Sequence, residues 1–195
     1  MTDKDVARDI DRALGWAAWE GDNETVRALL DAGADVHVSA DAPLWDAAMR
    51  GRADTMRILL DAGADQDIAL AVAAENGLIE LLRELLARGA NMHAYRGLVL
   101  WMAAHNGHTE TVNELIAAGV DVHSGEEAAL ALAAGNGHTD TVRALLKAGA
   151  GRRAGRRDEA RRLAAENGHA DTARVLKKRK RQKKKRASGS QTAQT

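Results

Sequence analysis

The chain of 195 residues has no cysteine, so neither disulfides nor thiolate metal sites can hold it together, and the lack suits a reducing compartment. No apolar run approaches the ~20 residues of a membrane-spanning helix. The opening MTDKDVARDIDR is acidic and has no apolar segment of the secretory kind. A soluble, intracellular protein without membrane partners is expected. Serine stands only at Ser39, Ser124, Ser188 and Ser190, none in the elbow context of a hydrolase nucleophile. No glycine-rich phosphate loop is present, because the glycines fall at a fixed period. These absences exclude the common enzyme classes, and no catalytic residue or cofactor is expected.

What the chain does have is a repeat. The stretch LWMAAHNGHTETVNELIAAGVD at 100–121 recurs with changes at 14–35, 44–65, 70–91 and 130–151, and in frayed form at 161–178. Its central glycine falls at Gly21, Gly51, Gly77, Gly107, Gly137 and Gly168, in steps of 30, 26, 30, 30 and 31 residues. Self-similarity at such a period marks a solenoid of one stacked supersecondary unit. Leu100, Ala103 and Ala104 stand at i, i+3, i+4, and Val112, Leu115 and Ile116 repeat that spacing, so each copy is predicted to hold two short helices. An acid follows the central glycine by three residues (Glu24, Asp54, Glu80, Glu110, Asp140, Asp171), where it meets the positive end of a helix dipole. Three residues on comes Arg27, Arg57, Arg83, Arg143 or Arg174, with Asn113 the exception, which suits an i,i+3 ion pair. A second glycine (Gly33, Gly63, Gly89, Gly119, Gly149) stands where the second helix should end.

With these residues the pattern resembles the ankyrin repeat, whose period is ~33 residues. APLWDAA at 42–48 comes nearest to the family signature, and the Gly107–His108, Gly137–His138 and Gly168–His169 pairs and GADVH at 33–37 carry the likeness further. The copies are shorter than the family's, like the clipped repeats of giant DNA viruses and some bacteria. The projecting hairpin should therefore be cut back, and nearly absent at 65–70. The resemblance implies an all-α, ankyrin-like solenoid of about six stacked helix–turn–helix repeats with short β-turn or hairpin connections. A polar lead-in at 1–12 precedes the array at 13–178, which holds five full repeats and a cap repeat from about 156. In that cap the leucine of the other copies becomes Arg161. A basic, disordered tail is expected at 179–195.

Charge divides the chain. Residues 1–151 carry 12 Lys and Arg against 24 Asp and Glu, and residues 152–195 carry 16 against 4. The densest run, 177–186, consists of Lys177, Lys178, Arg179, Lys180, Arg181, Lys183, Lys184, Lys185 and Arg186 around one glutamine. Such a run reads as a nuclear-targeting or nucleic-acid patch, or as a solubilising tail. No aromatic residue lies from 152 onward, so a nucleic-acid contact would be directed at phosphates and sensitive to salt.

In ankyrin-like proteins the first helices and hairpin tips line a concave binding face. By that resemblance the contact candidates are Trp19, Glu20, Met49, Arg50, Glu75 and His105 before the central glycines, with Tyr95 and Arg96 at a hairpin tip. Trp45 and Trp101 suit either anchors or packing, whereas Trp16 is expected in the core. Asp46 stands where other copies have Trp16, Val72, Met102 and Leu132. Either the chain is distorted there or Asp46 is solvated beside the 65–70 turn. His108, His138 and His169 suit a structural role at the turns, and His105 a surface. His37, His93 and His123 recur at one position, but neighbouring repeats stack ~10 Å apart, too far to share a zinc ion. No metal site is expected.

The function implied is a monomeric, non-enzymatic scaffold that binds another protein, one with a partly basic surface, on its concave face. The tail adds an import receptor or nucleic acid as partner, with the nucleus or cytoplasm as location. The alternative is a nucleic-acid-associated protein gripping phosphates through 152–186. A third reading is charge-driven self-association, basic end to acidic body.

Overall fold

A computed structural model describes residues 3–93 and 97–177. Among them, six helix pairs follow one another: α1 (Asp3–Glu20) with α2 (Asn23–Asp31), α3 (Val38–Met49) with α4 (Ala53–Asp61), and α5 (Gln66–Asn76) with α6 (Ile79–Ala87). The second half continues with α7 (Leu98–His105) and α8 (Thr109–Ala117), α9 (Ser124–Gly135) and α10 (Thr139–Ala148), then α11 (Arg156–Glu166) and α12 (Ala170–Leu176). No strand occurs among the described residues. The fold is an all-α solenoid. None of its described helices is long and apolar enough to cross a membrane.

The local chemistry of each pair follows the repeat. At Gly33 the chain turns left-handed (φ 90°), and the N–H groups of Gly33 and Ala34 each donate over 3.0 Å, to the carbonyls of Leu30 and Leu29. That closes the second helix with its last carbonyls satisfied. The i,i+3 ion pairs form in four copies, Arg57–Asp54, Arg83–Glu80, Arg143–Asp140 and Arg174–Asp171, but Glu24 and Arg27 do not pair. Asp22 caps α2 instead, accepting from the Thr25 N–H at 3.1 Å and its hydroxyl at 2.6 Å.

First helices stack on first helices, from α1 on α3 through to α9 on α11, and second helices form a parallel row. Between the rows lies a continuous core. Leu14, Leu44, Leu70, Leu100 and Leu130 are buried with the alanine pairs that follow them. Each buried leucine contributes about 2 kcal/mol relative to exposure, and the alanines let neighbouring helices approach. In the last helix pair Arg161 and Ala165 face solvent while Ala160 and Ala164 stay buried. At the other end, the residues from Asp3 to Arg12 are more than a lead-in. They extend α1 and carry the exposed pairs Arg8–Asp5 and Arg12–Asp9.

The connections are turns, and at 65–70 the hairpin has gone: Asp65 caps α5 directly through the N–H groups of Asp67 and Ile68. Two turns take an uncommon path. Ser39, Ala40 and Asp41 all have φ between 52° and 58°, and Gly125, Glu126 and Glu127 between 56° and 65°. Three successive left-handed residues are costly, and both turns end on a buried acid. Asp41 accepts from the Asp65 N–H at 3.4 Å, and Glu127 from the Gly151 N–H at 2.6 Å. The same clasp joins Asp11 to the Asp35 N–H and Asp67 to the Asn91 N–H, at 2.8 and 2.7 Å. In each case an acid on a first helix holds the loop 24 residues on. The fourth repeat has Gly97 at that register.

Candidate partner-binding surface

The positions two and one before each central glycine lie at the C-terminal ends of the first helices, and their backbones fasten the stack. The Glu75 carbonyl accepts from Asn106 Nδ2 at 3.0 Å and from His108 Nε2 at 2.9 Å. One repeat on, the His105 carbonyl accepts from Asn136 Nδ2 and His138 Nε2, both at 2.9 Å. The Gly135 carbonyl accepts from Asn167 Nδ2 at 2.7 Å. A carbonyl can only accept, so His108 and His138 carry their proton on Nε2. Their rings lie against the central glycine of the preceding repeat, as does that of His169. These histidines are structural.

Side chains at the same positions are free to differ. Glu20, Met49, Arg50 and His105 are exposed, whereas Trp19 and Glu75 are half-buried. The Arg50 guanidinium lies 5.0 Å from the Trp19 ring centroid, a cation–π contact that holds both across the first two repeats. His105 Nδ1 is 3.0 Å from Asn136 Nδ2, so this ring is tied to the next repeat. Tyr95, Arg96 and the basic residues from Lys178 to Arg186 lie outside the described residues; Lys177, just past α12, is exposed.

Trp16 corrects the sequence reading. It is 68% exposed, beside Met49 at 66% and ahead of Trp101 at 37%. At the equivalent position Val72 is buried and Met102 and Leu132 are half-buried. Trp16 stands at the wall of a groove between α1 and α3 and is open to solvent there. Trp45 is half-buried against the core.

Asp46 stands in the helical part of α3, five residues past the left-handed turn that ends at Asp41. It lines a groove of about 530 Å³ between α1 and α3, with Trp16, Trp19 and Pro43 as apolar walls and Arg8 and Arg12 at the side. Its Oδ2 comes 3.0 Å from where a Cβ on Gly15 would sit, so the missing side chain of Gly15 makes the room. Among the described residues nothing hydrogen-bonds or ion-pairs with Asp46, and desolvation raises its pKa above the ordinary aspartate value. Sequence had flagged the residue as misplaced; the groove could not be read without knowing that Gly15 faces it.

Metal chemistry has no such support. Among the described residues no three His, Asp or Glu side chains gather to hold an ion. His37 and His123 instead point Nδ1 at Asp41 and Glu127, at 3.0 and 2.7 Å.

No curated protein matches the chain. A family model described as ankyrin repeats (3 copies) matches twice, over residues 14–96 and 100–188. Two matches of three copies account for the six helix pairs, and together they span most of the sequence. The chain belongs to the ankyrin-repeat family, whose members are protein–protein interaction modules.

Proposed function

We propose that this protein is a non-enzymatic scaffold that binds a protein partner across the face formed by its first helices. One observation carries the reading: large apolar side chains, Trp16 and Met49, are left exposed on that row, where a partner can cover them. Trp and Arg are enriched among interface anchors, and Trp19, Arg50, Glu20, Glu75 and His105 stand at the C-terminal ends of the first helices on the same row. A rigid stack displays these side chains already ordered, so binding does not spend free energy on ordering them. The excess of acids over residues 1–151 favours a partner with a partly basic surface. The basic run 177–186 fits an address read by an import receptor.

The test is affinity capture from lysate with the full-length chain and a Trp16→Ala/Met49→Ala variant, with and without nuclease. Proteins retained regardless of nuclease and lost with the double variant support the reading. An unchanged set of captured proteins overturns it.

A second reading rests on the last repeat, where Arg152, Arg153, Arg161, Arg162 and Arg174 are all exposed. These arginines, and the basic run that follows them in the sequence, supply positive charge suited to non-specific phosphate contact. Duplex DNA binding that weakens steeply with salt and survives the Trp16→Ala/Met49→Ala change would favour it.

A further inference from the structure

The groove at the first two repeats holds a carboxylate for which the described chain supplies no cation. Of its four charged lining groups, Arg8 and Arg12 pair with Asp5 and Asp9 on their own helix, and Asp11 is held by the Asp35 N–H. Asp46 is left over, half-buried between Trp16, Trp19 and Pro43. Its counterparts in other repeats are apolar, so it is a local inconsistency of the kind found at binding sites. A desolvated carboxylate beside indole faces is matched by a cationic side chain, which gains both the charge and the ring.

The chain holds such side chains in quantity at its far end. Residues 1–49 carry 11 Asp and Glu against 4 Lys and Arg, while nine of the ten residues at 177–186 are basic. Within one molecule only the last residues of a fully stretched run come near the groove. The groove lies between the first and second of six stacked first helices, and helix-to-helix steps of 8–10 Å put it about 40 Å from the last repeat. From Lys177 to Arg186 a fully extended chain spans at most about 32 Å.

We propose that the groove receives the basic run 177–186 of a second copy, one lysine or arginine seating between Trp16 and Asp46, so that copies associate head to tail. This goes beyond the partner reading above, because its occupant is the protein itself and its test needs no other protein. Such a head-to-tail interface is intermolecular, so association grows with concentration. A tail seated in the groove also covers Trp16, so a partner on that face competes with self-association.

The experiment is sedimentation velocity on the full-length chain over a range of concentrations at low salt. It compares Asp46→Asn, Trp16→Ala, Asp31→Asn and a tail variant, Lys183→Gln/Lys184→Gln/Lys185→Gln, all checked for helicity by circular dichroism. Asp31 is an exposed acid at the end of α2, on the second-helix row, and controls for overall charge. Expected is association that falls by about tenfold in affinity in Asp46→Asn, Trp16→Ala and the tail variant, and stays unchanged in Asp31→Asn. Mixing Asp46→Asn with the tail variant should restore a complex that stops at two molecules, since one supplies the tail and the other the groove. A monomer at every concentration overturns the proposal. So does association that ignores Asp46 and Trp16, or a mixture that fails to complement.

Discussion

The ring of His108 lies over Gly77, its Nδ1 only 2.6 Å from where a Cβ on that glycine would be built. Gly77 has φ 68°; Gly51, at the same position one repeat earlier, has φ 67° with nothing within 4 Å. The two glycines share a backbone conformation and differ in what faces them. Gly51→Ala should cost about 1 kcal/mol, the left-handed penalty partly offset by a less flexible unfolded chain. Gly77→Ala adds steric displacement of His108 and loss of its bond to the Glu75 carbonyl, about 2 kcal/mol more. Urea unfolding of the two variants side by side checks the difference.

Arg52 occupies the position that His108 and His138 fill in later repeats. Its chain crosses Gly21, and its Nε–H is buried with no acceptor. Arg52→His places an imidazole where its Nε2–H can donate to the Trp19 carbonyl. A gain of about 1 kcal/mol is expected, seen as a rise in Tm of about 2–4 °C. A fall in Tm would show that the arginine stem contributes more by packing.

Glu127 binds His123 through one oxygen and the Gly151 N–H through the other, while 1% exposed. Glu127→Ala leaves a buried N–H unpaired and frees a turn whose left-handed residues the clasp holds in place. A loss of about 3 kcal/mol is expected. Hydrogen exchange should locate the loosening at 123–127 and 149–157, with the first three repeats unaffected, because each repeat contacts only its neighbours.

For Asp46, desolvation raises the folded-state pKa, so ionisation costs stability. The native state binds its proton more tightly than the unfolded chain, and the resulting stability is present at low pH and lost as pH rises through the folded-state pKa. Asp46→Asn should therefore be more stable than the parent chain at pH 7, by a few tenths of a kcal/mol given its partial exposure. The difference should vanish below the carboxylate range. Thermal unfolding at pH 7 and pH 3 compares them.

How much of this was legible depended on how far apart the interacting residues are. The glycines at the helix ends act within a turn or two, and spacing alone placed them. The cut hairpin at 65–70 was a matter of counting. By contrast, the 24-residue clasp shows in the sequence only as scattered acids (Asp11, Asp41, Asp67, Glu127), one of them a glutamate and one copy replaced by Gly97. Trp16 was misjudged because its register matches buried Val72, and register does not say that this side of α1 opens onto a groove beside α3.

Period, helix pairing and chain turns are thus properties of the sequence, since the same short-range needs recur in every copy. Exposure of Trp16, the groove at Asp46 and the seating of His108 on Gly77 were decided by the stack. Those depend on which side of a helix meets the next repeat some 30 residues away, and local periodicity does not carry that information.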